Sequence, residues 1–260
     1  MSSDHLFPPG TFAPAAARSS LGSMLRAHTF FELRLLVRNG EQLLLALVIP
    51  LAALIGLTYF TGIELQEPRI ASVTPGIWTL AVMSTAFTSL AISTAFDRRY
   101  GTAKRLAASG VQRWLLLAGK SCAIGIVIVF QLVLLSLVAV ILGWKPQGTV
   151  VWALPLLVLG AAAFTGLGIL LGGTLRAEAV LALANLIWLS MIAIGGVVIP
   201  LTSAPRWLDV VGQLTPGGAL SSSLRDVLQH GQSPSASAVL VLAAWTVLAW
   251  GAAVRWFSWQ

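Results

Sequence analysis

Basic side chains crowd one short stretch of the chain, from Phe96 to Lys120, which reads F-D-R-R-Y-G-T-A-K-R-L-A-A-S-G-V-Q-R-W-L-L-L-A-G-K. It is a short basic segment between two long apolar runs. On a helix turning roughly 100° per residue, Arg98, Thr102, Arg105 and Ser109 share a narrow sector, with Tyr100, Ala103 and Ala107 opposite. One face can therefore grip a polar partner. The competing reading is a solvated positive loop that only sets membrane topology. Catalytic arrangements are missing. Gly119-Lys120 lacks the upstream glycine of a phosphate loop, and no H-E-x-x-H occurs. His5, His28 and His230 are scattered, so no metal site is indicated. Glu64, Glu67, Asp97, Glu178, Asp209 and Asp226 fall at span ends or in loops, which leaves no intramembrane carboxylate relay of the kind proton-coupled carriers use.

The scaffold that carries this stretch is set by composition. Of 260 residues, 57% are hydrophobic and 10% charged, outside the range of soluble domains. A helix needs about 20 apolar residues to cross a bilayer. Six stretches qualify: 43–62, 74–96, 114–143, 150–175, 180–199 and 236–254. The expected fold is an all-α integral membrane protein of six transmembrane helices. With the N-terminus in the cytoplasm, Arg69, Lys145, Arg206 and Arg225 fall outside and the other twelve Lys and Arg fall inside, so both termini are expected in the cytoplasm. The net charge of +7 thus reads as topology and attraction to anionic membrane lipids, not as a nucleic-acid footprint.

Residues 1–20, rich in Pro, Ala and Ser, read as a mobile cytoplasmic tail, and 21–40 as a helix along the inner membrane surface. Residues 41–260 form the transmembrane domain. Along the second span Thr85, Ser89 and Ser93 repeat at i, i+4, either as contacts between helices or as the lining of a solute path. Gln131, mid-way along an unusually long third span, reads as an interhelical hydrogen-bonding group ahead of a substrate ligand. Gly168-x-x-x-Gly172 in the fourth span allows close approach of another backbone. Asn185 and Trp188 share a face of the fifth span. Cys122, the only cysteine, reads as a small buried apolar residue. Trp144, Trp152, Trp256 and Trp259 read as interfacial aromatics. The segment 199–231 is too polar and too rich in Pro and Gly for a span, yet keeps Trp207, Leu208, Val210, Val211, Leu214 and Leu220. It is expected at the outer interface or re-entering partway.

Two sets of residues resemble one family. The first is Arg98-Arg99-Tyr100-Gly101-Thr102, then Leu106, Gly110 and Gly119-Lys120. The second is Gly195-Gly196-Val197-Val198-Ile199-Pro200, Pro205-x-Trp207-Leu208, Thr215-Pro216 and Leu224-Arg225. Their order resembles the permease subunits of ABC-2 type transporters, with Arg99 where an acidic residue is usual and Gly110 where Pro is usual. The resemblance implies that Arg98, Arg99, Tyr100, Gly101, Thr102, Lys104 and Arg105 belong to a coupling helix that docks on a separate ATPase subunit. It makes 21–40 a connecting helix that touches the same subunit. Thr85, Ser89, Ser93, Asn185 and Trp188 become candidates for the central path between two permease halves, identical or homologous. Pro200, Pro205, Trp207, Pro216 and Arg225 become the outer re-entrant hairpin before the last span.

The expected function is that of the permease of a bacterial inner-membrane exporter, moving an apolar or amphiphilic solute such as a drug, lipid or glycolipid. No cofactor is expected on this chain; ATP and Mg belong to the partner. The alternatives are an ion-coupled secondary carrier and a membrane-embedded enzyme acting on lipid, for which no clustered nucleophile, acid-base pair or metal site is found.

Overall fold

The computed structural model describes residues 19–62, 65–102, 112–147, 150–200 and 205–257. Every regular element among them is helical: α1 (Leu21–Arg38), α2 (Gly40–Tyr59), α3 (Arg69–Met83), α4 (Leu90–Arg99), α5 (Arg113–Ile141), α6 (Ala153–Thr174), α7 (Ala177–Ile194), α8 (Arg206–Leu214), α9 (Pro216–Leu228) and α10 (Ala236–Trp256). Between α3 and α4, Ser84–Ser89 winds as a π-helix, so α3, this wide turn and α4 form one continuous rod. Among the described residues five helices are long and apolar enough to cross a membrane, and the Ala46–Tyr59 part of α2 is a shorter apolar helix.

The rod from Arg69 to Arg99 is the most buried of the five and forms the axis of the bundle. α2, α5, α6, α7 and α9 all pack on it. Its hydroxyls do not break it, because Thr74 and Thr79 donate to the carbonyls of Ile70 and Pro75 one turn back, at 2.7 and 3.0 Å. α6 runs beside its second half. There Gly168 and Gly172 bring backbone against backbone: a Cβ on Gly172 would stand 2.4 Å from the carbonyl oxygen of Ala91, and one on Gly168 2.8 Å from that of Ala86. The Gly-x-x-x-Gly pair is thus the seam between the second and fourth spans, and α10 closes the other side of α6.

α8 and α9 are the two helices of the segment before the last span. Thr215 caps α9, accepting from Gly218 N at 3.0 Å, and Pro216 opens its first turn where no backbone donor is needed. α9 is buried along nearly its whole length against α3, α6 and α10. α8 by contrast exposes Trp207, Val210, Val211 and Leu214. Leu201 to Ala204 lie outside the described residues.

Two expectations are corrected. Trp144 is buried, 5% exposed, and packs edge-on against Trp78 with ring centroids 5.7 Å apart, because the chain turns back at Gly143 and carries the indole inward. It is a core residue rather than a belt residue. Trp152 and Trp256 are exposed, and Trp259 lies outside the described residues. Cys122 is exposed on α5, not buried, since that long helix packs on only part of its circumference.

Candidate functional site

The basic stretch begins where α4 ends. Tyr100 caps the helix, and Gly101, at φ +69°, turns the chain through a left-handed conformation that a side chain would strain. Thr102 comes next, half-buried. Lys104, Arg105 and Ser109 lie outside the described residues, as does the rest of the expected coupling helix from 103 to 111. Of the expected docking groups, Arg98 reaches inward across the molecule: its Nη1 donates to the carbonyl oxygens of Gly172 at 2.9 Å and Leu175 at 3.1 Å, capping the C-terminus of α6. Arg99 pairs with Glu178 at the start of α7, but both are more than half exposed, so the pair adds little stability. Tyr100 is exposed and stacks on Phe96 with centroids 6.0 Å apart.

Beside them lies a charged cluster that sequence reasoning missed. Lys120, 9% exposed near the start of α5, pairs with Asp97 of α4 and stands 3.8 Å from Glu32 of α1. His28 Nε2 is 3.6 Å from Glu32 and 3.2 Å from the carbonyl oxygen of Leu116. One ammonium group thus ties α1 to two spans. Burial holds the Glu32 carboxyl above its ordinary range; Lys120 pulls it back, Asp97 pushes it up and His28 pulls it back again. The signal was present, since Glu32 is the single acidic residue of α1 and Lys120 opens a long apolar run. α1 packs along α5 while leaving Phe30, Phe31 and Val37 exposed.

Midway along the bundle, polar side chains meet at the wide turn. Thr85 donates to Gln131 Oε1 at 2.8 Å, and Gln131 Nε2 donates to the carbonyl oxygen of Ala46 at 3.0 Å, so three helical segments share one amide. Trp188 Nε1 donates to Ser84 Oγ at 3.0 Å. Ser89 is buried, and Ser93 bonds its own helix at Leu90. Asn185 is exposed on α7, its Nδ2 donating to Leu181 O at 2.8 Å. The structure therefore brings Thr85 to Gln131 and Trp188 to Ser84, and it leaves Asn185 on an outer face. Replacing Thr85 by Val should cost roughly 1–3 kcal/mol by orphaning a buried amide oxygen, and adding Gln131→Leu should recover part of it. A double-mutant cycle on thermal unfolding in detergent checks this; strict additivity would count against the contact.

At the opposite end, Arg225 of α9 is 8% exposed. Its Nη2 donates to the carbonyl oxygens of Gly196 and Val197 at 2.9 and 2.8 Å, which fastens α9 to the turn after α7. Gly76 on α3 makes room, since a Cβ there would lie 2.2 Å from Val197 O. Burial pushes the guanidinium down to about 10, partly offset by Asp226, so it remains cationic at neutral pH. Pro200 ends the described turn after α7, Pro205 caps α8, Trp207 is exposed and Pro216 is buried. Gln147 N donates to Leu228 O, and Gln229 reaches Gln66 and Ser72, so Arg69, Lys145, Arg206 and Arg225 all belong to segments gathered at this end.

A bundle of apolar helices with charge at its two ends and polar contacts at its centre defines a multi-pass membrane protein. Residues 25–228 match the family model described as ABC-2 type transporter, and the chain belongs to that family. A Bacillus subtilis (strain 168) protein named "Putative transport permease YvfS" is 21% identical over 236 residues, covering 87% of this chain and 94% of that one. The chain is a transporter permease.

Proposed function

We propose that the chain is one permease half of an ATP-driven exporter, moving an apolar or amphiphilic solute with energy from a separate ATPase subunit that holds ATP and Mg. The observation that carries this reading is the convergence on Lys120. Residues 103–111 are flanked by α4 and α5, and those helices are tied through one ammonium group to each other and to α1. A displacement of the intervening segment is thereby passed to the central rod and to α5 together. This is the mechanical link that coupling between a nucleotide site and a solute site needs.

The second half is supported by Asn185. A polar amide on an otherwise apolar span is costly against lipid and needs protein or a water-filled space beside it. A facing permease half supplies either. In this reading α2 is the sixth crossing, α8 and α9 form the outer hairpin, and both termini lie in the cytoplasm of a bacterial inner membrane. The charge asymmetry supports that sidedness, because the ends of α1, α4 and α10 and the start of α5 carry the larger basic share.

Isolation of the tagged chain from its native membrane in mild detergent is expected to give a particle of two permeases and two ATP-hydrolysing chains. Reversing Lys104 and Arg105 to Glu should strip the hydrolysing chains by like-charge mismatch and leave the permeases paired. A monomer that carries out ATP-independent transport in vesicles would overturn the reading.

A further inference from the structure

A cavity of about 550 Å³ opens between α8, α9, the start of α3 and the turn after α7. That is within the size range of small-molecule sites. Arg225 lines it, and its donors are not all used. Arginine carries five N–H groups. Two go to the carbonyls of Gly196 and Val197, Nη1 reaches Ser221 Oγ only at 3.4 Å, and Nε has no hydrogen-bond partner. No described carboxylate pairs with this cation. Asp226, next in the chain, stands 3.8 Å from His230, and Asp209 accepts from Gln213 at 2.9 Å. A buried guanidinium with open donors, and with no carboxylate among the described residues within ion-pair distance, is a site prepared for an anion.

We propose that this cavity binds a phosphate-bearing group, with Arg225 and Arg206 as its positive ligands and Ser222 as a hydroxyl ligand on the same wall. The fork of a guanidinium matches phosphate oxygens in shape and charge. Two features favour a headgroup over the free ion. The cavity is much larger than a bare phosphate, and Asp209 and Asp226 on its lining oppose the two arginines, so a singly charged diester is accommodated better than a dianion. The cavity is at the opposite end from Lys120, so for an exporter it would receive the headgroup on the release side. Only that direction rests on the exporter reading; the binding does not.

The test is calorimetric titration of the full chain, without an ATPase, in a neutral maltoside detergent. Three probes are used: lysophosphatidylglycerol, inorganic phosphate and an uncharged monoacylglycerol. Saturable binding of the lysophospholipid, one per chain, is expected, with inorganic phosphate at least tenfold weaker and no binding of monoacylglycerol. Arg206 is exposed, so Arg206→Glu leaves the fold intact and should weaken binding at least tenfold. Ser222→Trp should block it by filling the cavity, and Arg225→Lys should weaken it by removing the fork while keeping the charge. Inorganic phosphate binding as tightly as the lipid, and lost in the same variants, keeps the site and assigns it to the free ion. Failure of both phosphate probes to saturate, or equal affinity in the normal chain, Arg206→Glu and Ser222→Trp, overturns the proposal. Neither result depends on whether the chain exports anything.

Discussion

Replacing Lys120 by methionine is expected to destabilise the protein by on the order of 3 kcal/mol, the lower end of what removing one partner of a buried ion pair costs. The lower end applies because Asp97 is about one-third exposed, whereas Glu32 and Lys120 are nearly covered. The methionine keeps the length and apolar stem, so the loss reports the charge and not a cavity. Changing Glu32 to Gln in the same chain should recover a substantial part, since the orphaned carboxylate is what makes the single variant unstable. The pH dependence has a definite sign. Glu32 is raised above its ordinary 4.5 in the folded protein, so its neutral form is the one the fold prefers. Its contribution is fully present below 4.5 and is lost as pH rises through the raised value. Without Lys120 nothing strong pulls that value back. The deficit of Lys120→Met should therefore shrink on acidification from neutrality towards 4.5 and widen again as pH is raised. Thermal unfolding across that range decides it, and equal stability of both proteins at neutral pH would sink the assignment.

The second large effect is steric. Gly172→Val should cost about 1–3 kcal/mol or more through overpacking, because the nearest atoms to the new Cβ are the backbone oxygen of Ala91 at 2.4 Å and Thr94 Cβ at 2.9 Å. Neither is the free end of a flexible side chain. The same substitution pushes α6 away from α4 at the level where Arg98 grips the Gly172 carbonyl, so the cap on α6 is lost along with the seam. Gly125→Ala and Gly251→Ala are the controls. A Cβ at either meets nothing within 4 Å, and removing a helical glycine should leave stability unchanged or raise it by a few tenths of a kcal/mol. If Gly172→Val unfolds with the same midpoint as these controls, the second and fourth spans do not meet as described.

The family, the helical class and the long third span were legible because apolar run length and the order of the loop and hairpin residues are local properties of the chain. Gly168 and Gly172 were legible as a contact but not as a partner choice, since spacing does not say which helix approaches. The arithmetic that put Thr85, Ser89 and Ser93 on one stripe assumes a straight α-helix, and the wide turn at Ser84–Ser89 shifts the phase of the residues beyond it. Thr85 therefore finds Gln131 on α5, Ser84 finds Trp188 on α7, and Ser93 turns to its own helix. Periodicity placed Arg98 in one sector with Thr102 and Arg105, but it sees only their own helix and not the carbonyls at the end of α6 that the Arg98 guanidinium reaches. The Lys120 cluster was illegible for a related reason: Glu32, Asp97 and Lys120 come from three separated segments, and nothing short of the packing brings them together.

The rod from Arg69 to Arg99 also bears on how the protein is made. It is the least apolar of the five candidate spans, and the next candidate span along the chain, Trp114–Ile141, is the most apolar. A nascent chain that has emerged only as far as the rod holds a weakly partitioning segment, whose hydroxyls and indole still lack the neighbours that later cover them. α5 supplies both the strong partitioning and the amide of Gln131 that Thr85 uses. The segment around which the finished molecule is built is thus the one with the weakest apolar drive of its own among the five candidate spans, and the strongest is the one translated next.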